Sequence, residues 1–139
     1  MALQTGEERL FTRAARRSTW ERLGRWALVT DRPLDNRMCS RLGVTRTNGA
    51  LAVLVDSRYY LHARALVPNG VRCVTHPDEL RVLQLDACVV WGQFDVLDAR
   101  AEVLRTFADV HWVDDSRTVP SLYRRQQPSR CDGVMAHSI

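Results

Sequence analysis

Residues 48–74 read NGALAVLVDSRYYLHARALVPNGVRCV, and the architecture depends on how residues 60–67 within them fold. Residues 50–55 are apolar without a break, bounded by Asn48-Gly49 on one side and Asp56 on the other. A short run of this kind forms a strand buried on both faces. The next stretch, YLHARALV, satisfies two periods at once. Leu61, Ala63, Ala65 and Val67 share one face of a strand, whereas Tyr59, Ala63 and Leu66 share one face of a helix. Pro68-Asn69-Gly70 then supplies the dihedrals of a tight turn ahead of VRCV. Asn-Gly between strand-like runs is a strong hairpin signal, because type I′ turns need positive φ at both central positions. Turn chemistry therefore favours an antiparallel meander. A helix over residues 58–67 would instead produce a βαβ run of parallel strands and a Rossmann-like nucleotide-binding domain.

Working outward, Thr5 and Glu8 have capping-box spacing. Leu10, Phe11, Ala14 and Ala15 give the apolar stripe of an N-terminal helix, and Arg9, Arg13, Arg16 and Arg17 lie mainly on its other face. WALVT at residues 26–30 is a strand stopped by Asp31-Arg32-Pro33, residues 33–40 form an irregular connection, and residues 41–47 alternate like a half-buried strand. Downstream, His76-Pro77 opens a short helical turn and residues 86–91 (DACVVW) form a buried strand. A helix from Asp95 points Leu97, Ala101 and Leu104 inward. Residues 110–113 make the last strand, and residues 121–127 (SLYRRQQ) a terminal helix. The expected fold is α/β: an N-terminal helix, an antiparallel β-meander, then a helix–strand unit, forming a mixed sheet flanked by helices. It occupies residues 1–127 as one domain, with residues 128–139 as a flexible tail.

The composition, 45% hydrophobic and 26% charged, is that of a soluble globular chain. No apolar run approaches the roughly 20 residues that span a membrane. MALQTGEERL lacks the apolar segment of a secretory signal, so a cytoplasmic location is expected. Net charge is +4 and all 20 basic residues are arginine, a balance that permits nucleic-acid binding. Cys39, Cys73, Cys88 and Cys131 have neither CxxC nor zinc-site spacing. Cys73 and Cys88, inside strand-like runs, are expected as buried thiols. The glycine fingerprints of dinucleotide and P-loop sites are missing, as is a GxSxG context for Ser57. His111 has no second histidine at metal-binding spacing and is expected as a core or edge residue. Gly92-Gln93-Phe94, after a buried strand, allows close approach of a ligand.

Several segments together resemble the nuclease-related domain (NERD) family of the PD-(D/E)xK nuclease-like fold. They are Gly6-Glu7-Glu8, WALVTDRPL, the apolar strand running from Gly49 into Asp56-Ser57-Arg58, CVVWGQ, and VHWVDDSRTVPSLYRR. The resemblance spans roughly residues 5–125 and implies a helix, an antiparallel meander and a helix–strand unit. It also implies carboxylates that hold Mg²⁺, which lowers the pKa of an attacking water. On this reading Glu7 or Glu8, Asp56 and Arg58 form the catalytic set, with Asp56 as metal ligand. Where the family carries an Asp-His pair this chain has Ser40 and Arg41. Arg58 stands in place of the family's lysine, and a guanidinium with pKa above about 12 is no base at neutral pH. The implied function is a degenerate nuclease-like domain that binds nucleic acid through arginines, with metal-dependent cleavage lost or weak. Arg13, Arg16 and Arg17 on the helix would meet phosphates, and Arg58, Tyr59 and Tyr60 would meet phosphate and bases. The alternative is a non-catalytic protein–protein interaction module, or a subunit of a larger assembly, that turns Trp20, Trp26 and Trp112 toward a partner.

Overall fold

The computed structural model describes residues 23–116 and 119–125, apart from the side chains of residues 94–96. Among the described residues five strands run parallel: β1 (Trp26–Thr30), β2 (Ala50–Leu54), β3 (Arg72–Val74), β4 (Ala87–Trp91) and β5 (Asp109–Asp114). A sixth, β6 (Ser121–Tyr123), lies antiparallel on β5. Their order across the sheet is β3-β2-β1-β4-β5-β6. The helices among the described residues are α1 (Asn36–Leu42), α2 (Tyr60–Leu66), α3 (Pro77–Arg81) and α4 (Phe94–Leu104). The expected α/β fold with a mixed sheet flanked by helices is what forms. The antiparallel meander does not: β1, β2 and β3 pair in parallel, and parallel neighbours need a crossover rather than a hairpin.

The crossover between β2 and β3 exists because residues 60–66 are helical. Asp56 accepts a hydrogen bond from the Arg58 N–H and caps a 3₁₀ turn over Ser57–Tyr59 that leads into α2. Tyr60, Ala63, Leu66 and Val67, at helical spacing, pack onto the sheet, while Leu61 is left 77% exposed. Strand alternation would have put Leu61 inside with Ala63. Both turn signals mark real turns with different partners. Gly70 (φ +86°) lets the chain leave α2, and the Val71 N–H donates to Pro68 O. Asn48-Gly49 ends a 3₁₀ turn over Arg46–Asn48. There the Trp26 N–H donates to Gly49 O at 3.0 Å and the Trp26 indole N–H to Asn48 O at 2.8 Å. These two bonds fix the start of β1 beside the start of β2.

Two further expectations are corrected. Residues 41–47 are not a strand. Asp35 caps α1 by accepting from the Met38 N–H at 2.6 Å, the helix ends at left-handed Gly43, and Met38, Cys39 and Leu42 are buried. Residues 121–123 are β6 rather than helix, because their backbone completes the edge of β5. The N-terminal helix and the C-terminal tail lie outside the described residues.

Helices α1 and α2 cover one face of the sheet, over Trp26, Leu28, Val53 and Val89. Helices α3 and α4 cover the other, over Val29, Leu54, Val90 and Trp112. Burial on both faces explains why β1, β2 and β4 are almost continuously apolar. Burial pushes the Cys88 thiol up to about 12, and burial with the nearby Asp35 carboxylate pushes Cys39 to about 11, so both remain inert thiols. Among the described residues no helix is long and apolar enough to cross a membrane.

His111 on β5 is half-buried, with Nε2 3.2 Å from Asp109 Oδ2. Burial lowers its pKa, and the pull of Asp109 only partly opposes this. The unfolded chain then binds this proton more readily than the folded one, so stability falls as pH drops below about 6.5. Thermal denaturation should show a melting temperature that declines below that pH, with a shallower decline in His111→Gln. Equal slopes in the two chains would refute the assignment.

Candidate functional site

In an open doubly wound sheet, ligands bind outside the carboxyl ends of the strands, where neighbouring connections leave for opposite faces. Here that place lies between β1 and β4, since α1 follows β1 on one face and α4 follows β4 on the other. Asp31 and Arg32 leave β1 at this point, and Gly92 leaves β4. Gly92 has φ +150°, and a Cβ added to it would lie 2.0 Å from Asp31 Oδ1. The glycine is needed so that the two strand ends can close on each other. Asp31 Oδ1 is buried and has no hydrogen-bond partner among the described residues.

The end of β5 joins the same rim. Trp91 donates its indole N–H to Asp115 Oδ2 at 2.8 Å. The Arg32 guanidinium stands 5.2 Å from the Trp91 ring centroid and 3.6 Å from Asp115 Oδ2. One arginine therefore bridges the ends of β1, β4 and β5, with its charge opposed by a carboxylate and one face against an indole.

Asp56 and Arg58 form the other end of the rim, beyond β2. Arg58 Nε lies 3.2 Å from Asp56 Oδ1 and Nη2 3.4 Å from Oδ2, and the Arg58 backbone N–H donates to Oδ1 at 2.9 Å. These bonds, the backbone one foremost, hold the Asp56 carboxyl below the usual carboxylate range. Asp56, and more weakly Tyr59 and then Asp31, hold the Arg58 guanidinium charged. The Arg58 side chain is 70% exposed, with its Cζ 5.1 Å from the Tyr59 ring centroid. β1 and β2 are parallel neighbours with their carboxyl ends on one edge, so these two ends form one rim.

The fold thus brings Asp56, Arg58 and Tyr59 together at a strand end, while Tyr60, the first residue of α2, packs partly buried against the core. Glu7, Glu8, Arg13, Arg16 and Arg17 lie outside the described residues. Both Asp56 oxygens face Arg58, and among the described residues no group of three or more His, Cys, Asp or Glu side chains is placed to share a metal ion. Ser40 and Arg41 lie on α1, not on a strand. Trp26 and Trp112, expected to face a partner, are 0% and 1% exposed. Asp31, Arg32, Trp91 and Asp115 were not singled out from the sequence as binding residues. Asp31, Gly92 and Asp115 each come directly after a buried strand, which marks a rim only once the strands are known to run parallel. No family model, curated protein or solved structure gives a significant match to the chain.

A buried oxygen without a partner costs on the order of 1–3 kcal/mol. Asp31→Ala should therefore gain about 1 kcal/mol in urea denaturation, as happens where a site sacrifices stability for function. A less stable variant would show that the carboxylate is supported by its surroundings.

Proposed function

We propose that the chain is a doubly wound domain that binds a nucleoside-like, hydroxyl-bearing ligand across the crevice between β1 and β4. The observation that carries this reading is the reversal of strand order at β1 and β4, with Asp31 and Asp56 on the rim beside it. In dinucleotide-binding sheets an acid beyond the second strand accepts the ribose hydroxyls. Asp56 holds that position, and its lowered pKa keeps it an acceptor at neutral pH. The same comparison argues against a diphosphate. Such ligands rest on the first helix N-terminus behind a glycine-rich turn, whereas α1 is already capped by the Asp35 carboxylate and its approach contains Pro33. Arg32 on Trp91 offers a flat cationic wall for a ring or a single anionic group.

Calorimetry with adenosine, guanosine, ADP and NAD tests this. The expected result is nucleoside binding, ADP no tighter than adenosine, and about tenfold weaker binding in Asp56→Ala, equivalent to about 1.4 kcal/mol. Amide resonances of Asp31 and Gly92 should shift on titration. If no nucleoside binds and those resonances stay still, the reading is lost.

A second reading keeps nucleic acid as the ligand, favoured by the net charge of +4 and by the exposed Arg58 guanidinium over Tyr59. It predicts oligonucleotide binding that weakens steeply with salt. Mg²⁺-dependent nicking abolished by Asp56→Ala would add cleavage to it. A chain that neither binds nor nicks would end it.

A further inference from the structure

Away from the crevice, β3 is, among the described residues, the outermost strand on its side of the sheet and pairs only with β2. The Val55 N–H donates to Val74 O, so the backbone groups of Val74 face β2. Backbone polar groups alternate sides along a strand. The N–H and C=O of Cys73 therefore point away from the sheet. A cleft of about 450 Å³ follows this edge, and an adjoining one of about 360 Å³ continues it past Thr75. Its walls are Tyr60 and Arg64 of α2 on one side and Glu79 of α3 on the other. Among the described residues, the gap between the two helices thus leaves the edge open.

Charge selects what enters. Glu79 accepts from the Thr75 and His76 N–H groups within the capping box of α3, so its carboxylate is already engaged. Arg64 and Arg72, by contrast, have no hydrogen-bond or ion-pair partner among the described residues. Arg72 shares a strand face with Val74, which packs on the α3 and α4 side, while Arg64 lies on α2 across the sheet. The two guanidinia therefore flank the open edge from opposite faces.

We propose that the open edge of β3 binds an extended acidic peptide as an added strand. The peptide backbone pairs with the N–H and C=O of Cys73, and neighbouring acidic side chains, pointing to opposite faces, meet Arg64 and Arg72. Main-chain pairing gives affinity in this mode of recognition, and side chains at alternate positions give selectivity. Open edges are otherwise covered or charged against unwanted pairing, and two uncommitted arginines do both: they repel basic strands and admit acidic ones.

The test uses the full chain and a fluorescent peptide of alternating Val and Thr with one central Glu-Asp pair. Anisotropy should saturate, and the Cys73 amide should gain protection from hydrogen exchange in the complex. Arg64→Glu with Arg72→Glu should weaken binding at least tenfold. Methylating the peptide amides along the edge that meets β3 should abolish binding, while methylating the opposite edge should not. Binding that ignores methylation would be electrostatic capture alone and overturns the proposal. So does a Cys73 amide already protected in the dilute free chain, which would mean that another part of this chain covers the edge. Protection that appears only as the free chain is concentrated would assign the edge to a second copy, and also overturns it.

Discussion

Gly49→Val is expected to cost about 4 kcal/mol or more, a large share of the 5–15 kcal/mol that stabilises a typical domain. Two effects add. Gly49 has φ +91°, where an L-residue loses about 1–2 kcal/mol and a β-branched one more. A Cβ there would also sit 2.1 Å from the backbone oxygen of Gly24, which cannot rotate away as a side chain can. Relief requires moving the β2 entrance from β1, which breaks the bonds from Trp26 to Gly49 O and Asn48 O. Gly70→Ala is the control. Its φ of +86° is similar, but the nearest atom to its Cβ is Arg46 Cγ at 2.9 Å, the stem of a flexible side chain. Gly70→Ala should therefore lose only about 1–2 kcal/mol. Urea midpoints for both, far-UV circular dichroism permitting, give the comparison. A loss at position 49 no larger than that at position 70 would rule out the backbone clash.

Trp26→Ala is the second large loss, about 3–5 kcal/mol from cavity formation and lost transfer energy in a large aromatic. Trp26 is wholly buried beneath α1 and α2, and its indole N–H holds Asn48 O, which the truncation would leave without that donor. Trp26→Phe separates the two contributions, because it retains most of the ring and loses the donor. About 1–2 kcal/mol is expected for it. Near-equal losses in Phe and Ala would mean that the hydrogen bond, not the packed volume, makes this residue important.

Much of the fold was legible locally. The strands at residues 26–30 and 86–91, the helix carrying Leu97, Ala101 and Leu104, and the capped turn at His76 all form close to where pattern and propensity place them. Each is signalled by neighbours within a few residues. Residues 60–67 were different, because alternation and helical spacing both describe them and Ala63 serves either. The turn residues after them mark a reversal without saying whether a helix or a strand precedes it. The site was less legible still. Asp56 and Arg58 stand out as an acid and an arginine at a strand end, but Asp31, Gly92 and Asp115 are more than 20 residues apart in the chain.

By itself, the sequence determined the buried strands at residues 26–30, 50–55 and 86–91, the amphipathic helix carrying Leu97, Ala101 and Leu104, and that Asp56 leaves a strand beside Arg58. Tertiary structure alone decided that the strands run parallel. The apolar run at residues 50–55 buries equally well beside a parallel or an antiparallel neighbour. What settles the direction is the α2 face of Tyr60, Ala63 and Leu66 packing on the sheet, together with the indole of Trp26 tying β1 to the start of β2. Once the strands are parallel their carboxyl ends share one edge, and acids that looked like separate strand stops become one rim.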